Sequence, residues 1–180
     1  MNDRKGSAVI VVDMINDFVS GKFGSARAGR IVPSVARLLK KARAEGVQVI
    51  YVRDAHRKGD PELRVWGEHA MEGTRGSEIV AELTPEKGDA VFSKRRYSAF
   101  GSRPFERYMR GLDSGRLIFA GISTDICVQH NVADAFYRGY ETEVVRDCVE
   151  SISEGAKERA LKYMQYVYGT KVADLRRVKF

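Results

Sequence analysis

The chain has 180 residues, 43% of them hydrophobic, and a formal net charge of +7 at pH 7. This composition excludes a disordered chain and suits one packed domain over 1–180. Its longest apolar runs, residues 8–12 and 117–122, fall far short of the roughly 20 residues that cross a bilayer, so no membrane partner is expected. Basic residues are spread along the chain rather than gathered in a stripe, so no nucleic-acid partner is expected either. The opening segment MNDRKGSAVIVVD has an Asp directly after its apolar run and no cleavage-site pattern. With only two cysteines, too few for a disulfide scaffold, this predicts a cytoplasmic protein.

Residues 8–12 (AVIVV) carry no polar alternation and predict a fully buried strand. Residues 31–45 have apolar side chains at helical spacing and end at Gly46. A second strand is expected at 47–52, a long polar loop at 57–76, a short helix at 77–83 and a third strand at 90–92. A helix at 104–111 and a strand at 116–120 follow, then a helix at 125–138 closed by Gly139 and a strand at 141–145. Ser153 caps a last helix ending before Gly169, and 171–173 forms a short sixth strand. This alternation predicts an α/β protein with a parallel sheet covered by helices on both faces. Sites in such sheets lie beyond the carboxyl ends of the strands, which directs attention to Asp13, Asp54, His56, Lys94 and the segment 123–127.

Cys127 falls in the first turn after a strand, where free amides and the helix dipole favour a thiolate and can hold an oxyanion. A small buried apolar residue is the alternative for any free cysteine. Asp13 ends a wholly apolar strand, where a carboxylate is costly unless it is partnered or functional. Lys94 ends another strand. Acid, cation and thiol on one rim suit nucleophilic catalysis: the acid takes the thiol proton and the lysine stabilises the neighbouring anions. Asp54 and His56, at i and i+2, with the later His69, make a metal-ligand set; ordinary loop histidines are the alternative. His130 is expected to be a packed, satisfied histidine rather than a base for Cys127, and Cys148 a structural thiol.

Residues 8–18 (AVIVVDMINDF), 93–100 (SKRRYSAF) and 121–147 (GISTDICVQHNVADAFYRGYETEVVRD) together resemble the three signature stretches of the isochorismatase-like cysteine hydrolases. The resemblance implies a three-layer α-β-α fold with a six-stranded parallel sheet in the order 3-2-1-4-5-6. It also implies an Asp13, Lys94 and Cys127 triad, a cis peptide between residues 122 and 123, and an oxyanion hole from the amides of Ser123 and Cys127. Within the family, nicotinamidases bind a divalent metal, usually zinc and sometimes iron or manganese, through an Asp-x-His pair and a later His. Here those match Asp54, His56 and His69. Phe18, Trp66 and Tyr97 match the aromatic side chains that surround the nicotinamide ring. Ala55 stands where typical nicotinamidases carry a Trp. The resemblance therefore implies a small-molecule amide substrate, nicotinamide first. Another amide or ureide (N-carbamoyl or ureidoacrylate type) is the alternative, as is an isochorismatase-like hydrolase of unknown substrate. Family members commonly form homo-oligomers, dimers or tetramers.

Overall fold

A computed structural model describes residues 6–180. Six parallel strands form one sheet in the order β3-β2-β1-β4-β5-β6. They are β1 (Gly6–Val12), β2 (Gln48–Asp54), β3 (Ala90–Lys94), β4 (Ser114–Ile122), β5 (Glu141–Glu150) and β6 (Lys171–Ala173). The helices are α1 (Asn16–Val19), α2 (Ala26–Ala44), α3 (Leu63–Trp66), α4 (Arg103–Gly111), α5 (Gln129–Tyr137) and α6 (Glu154–Tyr168). None of the described helices is long and apolar enough to cross a membrane.

The absence of alternation in β1 has a direct cause: both of its faces are covered. Ala8, Ile10 and Val12 pack on one side with Phe105, Met109, Val132 and Leu161 from α4, α5 and α6. Val9 and Val11 pack on the other with Val35, Leu38 and Leu39 of α2. At about 25 cal/mol per Å² of apolar surface removed from water, these two layers are the main stabilising term.

Five local expectations are corrected. Helix α2 begins five residues before position 31, because the Ser25 hydroxyl accepts the Ala28 amide at 3.1 Å and caps it there; Pro33 is accommodated inside. The helix expected at 77–83 is replaced by two 3-10 turns, Arg75–Ser77 and Ala81–Leu83. The backbone between them is drawn into cross-chain pairing: Asn16 N–H donates to Glu78 O at 2.9 Å and Val80 N–H to Met14 O at 3.0 Å. The polar loop at 57–76 contains the single turn of α3. The helix expected at 125–138 starts as a π-helical turn, Thr124–Val128, before α5. Strand β5 also runs on to Glu150, beyond the expected 145, through a register shift opposite Phe119 and Gly121 of β4.

At Gly121 the backbone of β4 lies close against Val12 of β1. The φ of Gly121 is +118°, and a Cβ there would lie 1.9 Å from the Val12 carbonyl oxygen. Backbone cannot yield as a side chain does, so Gly121→Ala is expected to lower stability by about 3 kcal/mol or more. Urea unfolding measures this; a loss below about 1 kcal/mol would contradict the packing described.

Candidate active site

The carboxyl ends of β1, β2, β3 and β4 bring Asp13, Asp54, Lys94 and Cys127 together. Asp13 leaves β1 at φ +52°, with its amide tied to Val52 O at 2.9 Å. Its Oδ1 accepts the Asp54 amide at 2.7 Å, and its Oδ2 lies 2.7 Å from Lys94 Nζ. Lys94 Nζ also donates to Asp54 Oδ1 at 2.7 Å and lies 3.6 Å from Cys127 Sγ. All four residues are buried.

Burial opposes the Lys94 ammonium, but Asp13 and Asp54 outweigh it and raise its pKa well above the usual value. Burial and then the charge of Asp54 push Asp13 up to about 7, against the pull of Lys94. Burial drives the Cys127 thiol well above its ordinary value, despite Lys94. Beside this thiol, the group raised into the neutral range is Asp13.

Asp54, His56 and His69 form a second cluster in which one ligand atom of each lies within 4.8 Å of the others. Asp60 Oδ2 lies 3.3 Å from His56 Nδ1 and also accepts the Arg57 amide at 2.9 Å. Arg95 pairs with Asp60 and holds its carboxyl below the usual range. His56 thus donates through Nδ1, leaving its buried Nε2 with no hydrogen-bond partner. That atom lies 3.6 Å from Asp54 Oδ2 and 3.7 Å from Glu62 Oε2. His69 Nδ1 lies 2.7 Å from Gly67 O, so its Nε2 also keeps a lone pair. Burial opposes a charge on His56, but Asp54, Asp60 and Glu62 outweigh it and raise its pKa. Burial lowers that of His69. An orphaned imidazole nitrogen beside a second imidazole and a carboxylate fits a divalent cation.

Both clusters open on one cavity of about 350 Å³. Phe18, Trp66 and Tyr97 line it, with the Trp66 indole N–H donating to the Tyr97 hydroxyl at 3.0 Å. Ser123 and Cys127 line it at the reversal from β4 into the π-helical turn. The structure adds Phe23, Glu62, Asp125 and Glu150 to the wall, and Asp60 behind it. The signal for Asp60 and Glu62 was present, since they follow His56 by four and six residues in an acidic stretch. Nothing local marks Phe23 or Glu150. His130 is exposed rather than packed; its ring stacks obliquely on Tyr97 at 5.1 Å and its Nδ1 meets Ile126 O at 2.7 Å.

Residues 7–176 match the Isochorismatase domain. The chain belongs to the isochorismatase family. The structure superposes on N-carbamoylsarcosine amidase from Thermoplasma acidophilum with a TM-score of 0.91 and 35% identity, over 98% of this chain and 100% of that one. Nicotinamidase from Bacillus subtilis gives 0.87 and 29%, over 94% and 100%. Pyrazinamidase from Pyrococcus horikoshii, solved with zinc, gives 0.86 and 28%, over 94% and 99%. The cis peptide that the isochorismatase resemblance implied lies between Ile122 and Ser123.

The two thiols of this isochorismatase-family chain differ in access. Cys127 lines the cavity, whereas Cys148 is fully buried and is not among its lining residues. Iodoacetamide should therefore label Cys127 in the native protein and leave Cys148 untouched. Peptide mass spectrometry reads this directly, and labelling of Cys148 first would contradict the assignment.

Proposed function

We propose that the protein hydrolyses the carboxamide of nicotinamide to nicotinic acid and ammonia, with Cys127 as nucleophile. As an isochorismatase-family member the chain is an amidohydrolase, and its substrate is a small-molecule amide. The observation that carries the nicotinamide reading is the shared cavity. The Asp54, His56 and His69 cluster faces it next to Cys127, and Phe18, Trp66 and Tyr97 enclose the space between. A flat pyridine amide needs a donor set for its ring nitrogen, aromatic walls for its faces and a nucleophile at its carbonyl.

Asp13 takes the proton of the Cys127 thiol, and the sulfur attacks the carboxamide carbon. The amides of Ser123 and Cys127 hold the developing oxyanion. Asp13 returns the proton to the departing nitrogen, and ammonia leaves a thioester on Cys127. Asp13 then deprotonates a water that attacks the thioester, releasing nicotinic acid and restoring the thiol. Lys94 keeps Asp13 and Asp54 from repelling the thiolate as it forms. Asp54, His56 and His69, with Glu62 beside them, would hold a divalent metal, zinc in this reading, whose Lewis acidity would orient the pyridine nitrogen.

A second reading is a cysteine amidohydrolase acting on an N-carbamoyl or ureidoacrylate-type compound. The likeness to N-carbamoylsarcosine amidase favours it. Ammonia release from nicotinamide, pyrazinamide and N-carbamoyl compounds separates the two; silence on nicotinamide with turnover of a ureide selects the second. In either reading Cys127→Ala should abolish turnover with the fold intact.

Asp13 serves as base only when ionised. Its raised pKa of about 7 therefore makes kcat/KM climb as pH rises through neutrality and fall away below it. A profile flat from pH 5 to pH 9 would remove Asp13 from that role. Elemental analysis should find near-stoichiometric metal that His56→Ala loses. Asp60→Asn should weaken metal affinity by roughly 10–100-fold, because it frees the His56 ring. Full activity without metal would contradict the site.

A further inference from the structure

The cavity wall is asymmetric in charge. Among the described residues no Lys or Arg lines it, while four carboxylates do: Asp54, Glu62, Asp125 and Glu150. Three of them have cationic or imidazole neighbours. Asp54 pairs with Lys94, Glu62 lies 3.7 Å from His56, and Glu150 pairs with Arg27 at 2.7 Å. Arg27 also binds Glu154, and Lys157 stands 3.8 Å from Glu150. Asp125 alone forms no ion pair among the described residues. Its Oδ1 accepts the hydroxyls of Ser123 and Ser151, both at 2.6 Å, and its Oδ2 makes no hydrogen bond among them.

This carboxylate sits two residues before Cys127, on the β5 side of the cavity. The His pair lies on the β2 side. Asp125 lines the cavity half-buried, and a carboxylate oxygen there is costly unless water or a ligand donates to it. Two serines fix its orientation and leave one oxygen unused.

We propose that Asp125 is a specificity-determining residue, whose Oδ2 accepts a hydrogen bond from an N–H or ammonium group on the amide substrate. The proposal rests on the reading that this cavity binds the amide. It narrows the substrate class to neutral or cationic amides with a donor on the side away from the His pair, which in nicotinamide is the carboxamide N–H. Amides carrying a carboxylate there are repelled.

The test is kinetic, on the full-length protein as isolated, with amides that differ only in one charged group. One set is nicotinamide bearing an aminomethyl, methyl or carboxylate group at ring carbon 4 or 5. The other is the mono-N-carbamoyl derivative of ethylenediamine against N-carbamoylglycine. The wild type should favour the ammonium member over the carboxylate member by about tenfold or more in kcat/KM, the size of one charge-assisted hydrogen bond. Asp125→Asn should move that ratio toward unity, chiefly through KM. Asn keeps an oxygen for Ser123 and Ser151, so a purely bracing role would leave the ratio unmoved. A wild-type preference for the carboxylate member, or the same ratio in Asp125→Asn, overturns the proposal. Silence on every nicotinamide with turnover of the carbamoyl pair removes the nicotinamide reading alone, and the charge ratio is then read on that pair.

Discussion

The buried ammonium of Lys94 is the interaction on which the site depends. It has no contact with bulk water, and two carboxylates at 2.7 Å replace that solvation. Each partner requires the others. Without Lys94, Asp13 and Asp54 would face one another unpaired, and without the acids a buried ammonium would cost several kcal/mol. The same cation lies 3.6 Å from the Cys127 sulfur, so the pair of ions also sets the charge around the thiol. Through Asp54 it joins the Cys127 side of the cavity to the histidine side.

The sheet makes this arrangement affordable. Four adjacent parallel strands deliver one polar residue each to the same rim, at the layer where the apolar faces end. Neighbouring strands lie about 4.8 Å apart, which sets the spacing of the side chains before any of them interacts. The close approach of β1 and β4 at Gly121 holds Asp13 and Cys127 in mutual reach. Asp13, Asp54 and Lys94 thus stand at strand ends, and Cys127 in the turn that follows β4. The aromatic wall comes from the segments after β1, β2 and β3, where Phe18, Trp66 and Tyr97 stand.

Much of this was legible in the sequence because buried parallel strands advertise themselves. A run such as residues 8–12, apolar on both faces, makes the Asp that follows conspicuous, and the same holds for the turn that carries Cys127. The sheet order came from the family resemblance rather than from periodicity. What escaped reading depends on contacts distant in sequence. Asp60 acquires its role only when Arg95, from beyond β3, reaches it. The backbone at 78–80 pairs with 14–16 instead of forming a helix. The extra length of β5, which carries Glu150 and Ser151 to the cavity, follows from a register shift that no local propensity encodes.

In the mechanism we propose, amide cleavage passes through a thioester on Cys127. Rapid acid quenching after mixing with nicotinamide tests it, with ammonia, nicotinic acid and the Cys127 peptide followed separately. Ammonia should appear first, together with a nicotinoyl group on that peptide, and nicotinic acid should follow as the adduct decays. Simultaneous release of both products, with Cys127 unmodified at every time point, would contradict it.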